Sequence, residues 1–76
     1  MNKITKVDCD PVMYGDIIFC YDANGKLVDQ LPAPDGCVSA FIHENAIIAR
    51  CWRNGVLFEY RYDLKEKLWA LQPHCS

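Results

Sequence analysis

The 76-residue sequence has no apolar run approaching the roughly 20 residues of a membrane-spanning helix. Its first ten residues, MNKITKVDCD, also lack the apolar stretch of about 7–15 residues that a secretory signal carries. These two absences predict a chain that stays off the membrane and remains in the cytoplasm. Positive charge is scarce: 8 Lys and Arg stand against 10 Asp and Glu, for a formal net charge of −2. A nucleic-acid backbone demands clustered Lys and Arg, so no nucleic-acid partner is expected. Missing too are a Gly-rich phosphate loop, a Gly-x-Ser-x-Gly elbow and a His-Glu-x-x-His zinc motif.

Cysteine is present without the spacing that usually gives it work. The five residues Cys9, Cys20, Cys37, Cys51 and Cys75 are odd in number and include no Cys-x-x-Cys pair, which argues against a disulfide framework. Reduced thiols acting as small buried hydrophobes fit Cys20, Cys37 and Cys51, each set in an apolar strand-like run. A cysteine nucleophile needs a base to form its thiolate. The only histidines, His43 and His74, fall in an expected turn and in the last three residues. A metal site would require Asp8, Cys9 and Asp10 to converge with His74 and Cys75 from the far terminus, without the close ligand pairs of structural zinc sites. The acidic residues are mostly aspartates at turns, where they bond nearby backbone. We therefore expect no catalytic residues, no metal and no cofactor.

What the chain does have is an apolar share of 51% and an aromatic share of 12%, enough for a globular core at a low net charge. Residues 1–76 make one small domain. A chain of this size buries only about 60% of the surface its unfolded form exposes, so its stability is expected to be marginal. Residues 1–38 hold three Lys and six Asp, whereas residues 39–76 hold five Lys or Arg and four Asp or Glu.

The dominant local pattern is the hairpin. GDIIFCYDANGKLVDQL reads as two strand-like arms around a turn carrying Asn24-Gly25, and PAPDG at 32–36 as a loop into the second half. CVSAFI and AIIARCW flank His43-Glu44-Asn45, which predicts a hairpin with a three-residue loop. CWRNGVLFEYRY places Asn54-Gly55 between two runs, the strongest type I′ signal in the chain. Beyond it Val56, Phe58, Tyr60 and Tyr62 alternate with Leu57, Glu59, Arg61 and Asp63, so the aromatic side is expected to face the core. KITKV at the N-terminus would add an edge strand.

The chain also repeats itself: an offset of 41 residues carries Tyr21-Asp22 onto Tyr62-Asp63, Leu27-Val28 onto Leu68-Trp69 and Pro32 onto Pro73. Ile17, Phe19 and Tyr21 then fall over Phe58, Tyr60 and Tyr62, which predicts the same alternation phase in both copies. Tyr-Asp, a turn, an apolar pair and a proline together resemble the outer two-stranded hairpin of kelch-type β-propeller blades. A propeller needs about four or more blades and the chain holds material for about one and a half. The glycine pair ending an inner kelch strand is also absent, so no family is assigned.

DLKEKLWALQP sets two readings against each other. Asp63 as N-cap, Glu66 three residues on, and Leu64, Leu68 and Leu71 at helical spacing suit a helix at about 64–71 and hence an α+β fold. Against that, so short a helix needs tertiary support, and its counterpart DANGKLVDQLP contains Asn24-Gly25. We adopt the strand reading, with 63–67 as a loop. The expected fold is all-β: an antiparallel meander of five to seven short strands forming a small barrel or a strongly twisted sheet.

For function the composition favours a small non-enzymatic module that binds another protein or itself, an inhibitor or accessory protein. A compact ligand-binding or enzymatic domain with a Tyr- and Cys-lined pocket is the second reading. Once Tyr60 and Tyr62 are given to the core, the candidate contact residues are Trp52, Arg53, Arg61 and Trp69, of the types enriched at protein interfaces.

Overall fold

The computed structural model describes residues 3–9 and 17–72. Among these residues seven strands follow in chain order: β1 Lys6–Cys9, β2 Ile17–Tyr21, β3 Leu27–Pro32, β4 Cys37–His43, β5 Ala46–Arg53, β6 Val56–Asp63 and β7 Leu68–Leu71. All pairings are antiparallel between sequence neighbours. They form two sheets, β1-β2-β3 and β4-β5-β6-β7. β1 runs beside β4, which brings the sheets over one core while the barrel stays open.

Strict alternation sets the inner face where the sequence alternates. In β1, Val7 and Cys9 are buried while Lys6 and Asp8 are exposed. Register then transmits that choice: Val7 lies opposite Cys20 and Cys9 opposite Ile18, and both partners are fully buried. The inner face of β2 is therefore Ile18 and Cys20, not the expected Ile17, Phe19 and Tyr21, which are half-buried. In the second sheet Ile47, Ala49 and Cys51 of β5 face the same core, with Phe58, Tyr60 and Tyr62 of β6 beside them. Tyr62 is buried and Phe58 and Tyr60 pack half-buried against the core, as the alternation in β6 predicts, while Val56, expected on the same face, is exposed where the strand leaves its turn.

The turns follow their chemistry. Asn54 and Gly55 have φ of 53° and 77°, the pair of positive angles a type I′ hairpin requires. The β4–β5 turn is shorter than the expected three residues, because His43 already pairs with Ala46 and only Glu44 and Asn45 remain, at φ 49° and 62°. At 63–67 the strand reading holds. The Asp63 carboxylate accepts the Lys65 and Glu66 N–H groups at 2.8 and 3.0 Å, and Lys67, at φ 58°, returns the chain into β7. The N-cap chemistry is present and produces one turn of loop rather than a helix.

Gly36 closes the approach to β4. Its carbonyl accepts the Trp52 N–H at 3.0 Å, and at φ 80° any Cβ would collide with the Trp52 carbonyl. β3 extends to Pro32, one residue into the expected 32–36 loop, on an edge where a missing N–H breaks no ladder.

Candidate functional site

The residues singled out from sequence do not gather into one place. Trp52 lies on the outer face of β5 opposite Leu57, with 52% of its surface exposed. Arg61 shares that outer face and reaches the Glu44 carbonyl at 3.5 Å. Arg53 belongs to the inner side at the end of β5, where its guanidinium lies 4.4 Å from the Phe58 ring centroid and donates to the Tyr60 hydroxyl. Trp69 is half-buried on the inner side of β7, its ring 5.0 Å from that of Tyr62. Two candidates thus lie on the outer face of the second sheet, Trp52 exposed and Arg61 half-buried, and two are tied into the core rim.

Cysteine is clustered but quiet. Cys37 pairs with Cys51 across β4 and β5, and Cys9 donates to the Cys37 carbonyl at 3.8 Å from the other sheet. Cys37 and Cys51 point their thiols at the Ser39 and Pro34 carbonyls, at 3.6 and 4.0 Å. Burial, followed by the Cys9 thiol as hydrogen-bond partner and neighbouring charge, pushes the Cys37 pKa up. Burial also raises Cys51, against the lowering effect of the hydrogen bond with Cys37 and the charge of Arg53. In the other sheet burial, then the Asp29 charge, takes Cys20 to about 11. Thiols held protonated serve as packing groups, because the nucleophile is the thiolate. His43 is exposed, with Nε2 3.8 Å from Glu44 Oε2. Among the described residues no three His, Cys, Asp or Glu side chains are grouped to hold a metal ion. Asp10, His74 and Cys75, named above as potential ligands, lie outside those residues.

Two features carry more than the sequence residues did. The first is the side of β7 that pairs with no other strand among the described residues. Gln72 donates its N–H to the Glu59 carbonyl at 2.8 Å, which makes 59 and 72 a hydrogen-bonded pair. Such pairs alternate along an antiparallel ladder. Ala70, opposite Arg61, therefore turns its backbone groups toward β6, while Trp69 and Leu71 turn theirs outward. Leu68 and Leu71 are 63% and 54% exposed. No charge, proline or bulge lies within Leu68–Leu71, although these are the usual guards of a sheet edge. The signal was in the four letters LWAL, masked by their helical spacing with Leu64.

The second feature is a groove of about 540 Å³ at one end of the molecule, lined by Lys3, Ile4, Val28, Asp29, Asn45, Leu64, Lys65 and Lys67. Four segments distant in sequence build it, so no linear motif marks it. No helix among the described residues is long and apolar enough to cross a membrane. Comparison with protein-family models, with curated protein sequences and with solved structures gives no match to this chain.

Proposed function

We propose that this protein is a small non-enzymatic binding module of the reducing cytoplasm that works by strand pairing at its β7 edge, with a second copy of the chain as the partner. The carrying observation is the outward pair of backbone groups on Trp69 and Leu71, framed by exposed leucines with no guard residue. The edge is self-complementary. With a two-fold axis through Ala70, Trp69 of one copy exchanges both hydrogen bonds with Leu71 of the other. The Ala70 pair then occupies the non-bonded position, where Cα atoms approach to about 4.5 Å and a small side chain fits best. The result is one continuous eight-stranded sheet whose outer face carries Trp52, Phe41 and Arg61 twice. Four main-chain hydrogen bonds and the flanking leucines set against the entropy of association give a weak, concentration-dependent dimer.

Sedimentation velocity tests the proposal on the whole protein. The wild-type chain is expected to move from its 8.7 kDa monomer toward twice that mass as concentration rises. Leu71→Lys places a charge on the edge and holds the monomer. Leu71→Pro removes one outward N–H and leaves the ladder to β6 complete, so it does the same without a new charge. A wild-type chain that stays monomeric, or variants that dimerise as well as it does, would remove the proposal. The second reading, a ligand-binding domain, draws support from a different place than a Tyr- and Cys-lined pocket, since Cys20 and Cys51 have no exposed surface.

A further inference from the structure

We infer that the groove between the Lys3–Ile4 segment, β3 and the two turns after β4 and β6 is a binding site for an amphipathic anion, a carboxylate carrying a short aliphatic chain. The floor is apolar: Ile4, Val28 and Leu64 line it, and all three pack against the hydrophobic core. The rim is cationic. Among the described residues that line it, Lys3, Lys65 and Lys67 carry positive charge and Asp29 negative, a local excess of positive charge on a chain of formal net charge −2. Asn45 adds an amide at the same mouth.

The cations are placed by the fold rather than scattered. Asp63 holds the loop that presents Lys65 and Lys67, accepting the Lys65 N–H at 2.8 Å, while Leu64 donates its N–H to the Asn45 carbonyl at 3.3 Å. That bond ties the β6–β7 turn to the β4–β5 turn. Asp29 is committed locally, accepting the Gln30 N–H at 2.8 Å. A volume of about 540 Å³ lies within the range of roughly 300–1,000 Å³ typical of small-molecule sites, where an apolar lining and a few convergent polar groups set orientation. An inorganic anion would leave the floor unused and a neutral chain would leave the lysines unused. An aliphatic carboxylate satisfies both. The groove is separate from the outward groups of Trp69 and Leu71, so it does not depend on dimer formation.

Amide chemical-shift titration of the full chain with octanoate, butyrate, octanol and inorganic phosphate tests the inference. Octanoate is expected to shift Val28, Asn45, Leu64, Lys65 and Lys67, and to bind more tightly than butyrate by up to about fourfold per added methylene that reaches the floor. Lys65→Ala with Lys67→Ala, both exposed positions, should weaken octanoate by roughly threefold to tenfold, the loss of two exposed charge contacts. No shift at these amides, equal binding of octanol, or equal binding of phosphate would each overturn it. Repeating the titration on the monomeric Leu71→Lys variant should give the same affinity, whereas loss of binding there would overturn the site's independence from the β7 edge.

Discussion

The hairpins β2–β3 and β6–β7 carry the same Tyr-Asp sequence and the same turn device. Asp22 accepts the Asn24 N–H at 2.9 Å and Asp63 accepts the Lys65 N–H at 2.8 Å, each from the residue two positions on. Beyond the bulge at Cys20/Tyr21 their ladders match, because Cys20 opposite Asp29 and Phe19 opposite Gln30 fall over Arg61 opposite Ala70 and Tyr60 opposite Leu71 at an offset of 41 residues, whereas next to the turn Tyr21 faces Leu27 and Tyr62 faces Trp69. The buried faces, however, are opposite. β2 buries Ile18 and Cys20, whose counterparts Glu59 and Arg61 look outward, while Tyr62 is buried and its counterpart Tyr21 is only half-buried. The edges differ too: β3 carries Asp29, Gln30, Pro32 and a register shift at Cys20/Tyr21, and the four residues of β7 carry no charge, proline or bulge. A repeated turn joins both pairs of strands, and a bulge beside one of them restores the shared register; the partner strand decides which face is core.

The largest effect that can break this comparison lies on the reversed faces. Ile18→Ala empties a fully buried site and should lower stability by about 2–5 kcal/mol, whereas Glu59→Ala, at the equivalent ladder position, should change it by less than about 1 kcal/mol. Because the first loss approaches the whole stability of a small domain, Ile18→Val, at about 0.5–1.5 kcal/mol, keeps the comparison measurable in urea. Equal losses at 18 and 59 would restore the common phase.

An intermediate effect separates the same strands by pH. Burial, then the Asp29 charge, raises the Cys20 thiol from 9.0 to about 11 in the folded protein. Above pH 9 the unfolded thiol loses its proton while the folded one keeps it, so stability is full below about 9 and falls as pH rises toward 11. The urea midpoint should drop between pH 7 and pH 10.5 by an amount worth roughly 1–2 kcal/mol from this group. Cys20→Ala should remove that share of the slope and leave the part due to the raised Cys37 and Cys51 thiols, and an unchanged slope would count against the placement of Cys20.

The smallest effect concerns the shared turn. N–H bonds from Glu66, then Lys65, hold the Asp63 carboxylate below its ordinary pKa. Its stabilisation is present above the unfolded value and is lost as pH falls through the lowered folded one. Asp63→Ala should lower the urea midpoint at pH 7, and the difference from wild type should shrink below about pH 4. A difference independent of pH would show that the side chain is not the turn's acceptor.

Most of the fold was legible because turn residues and alternation agree. Asn54-Gly55, the alternation in VLFEYRYD and the matching of Leu68-Trp69 to Leu27-Val28 each name a strand boundary or face that the structure contains. The phase of β2 was not legible from its own letters, since IIFCY is apolar throughout and offers no polar side. Its neighbour KVDC alternates cleanly and held the answer, once register placed Val7 opposite Cys20. The candidate sites were the least legible. Trp52, Arg53, Arg61 and Trp69 were chosen by residue type, and the fold divides them between two faces. The lysine-rimmed groove depends on tertiary closure of four segments, and the β7 edge on which hydrogen-bond phase the last ladder adopts.

Amide hydrogen exchange in β7, followed as a function of protein concentration, addresses that edge directly. Ala70 bonds to β6 and should be protected at every concentration. Trp69 and Leu71 point outward and should exchange freely when dilute, then gain protection in parallel as the chain pairs with its copy. Free exchange of Trp69 and Leu71 at the highest concentration, with Ala70 protected, would leave the edge open and contradict self-pairing through β7.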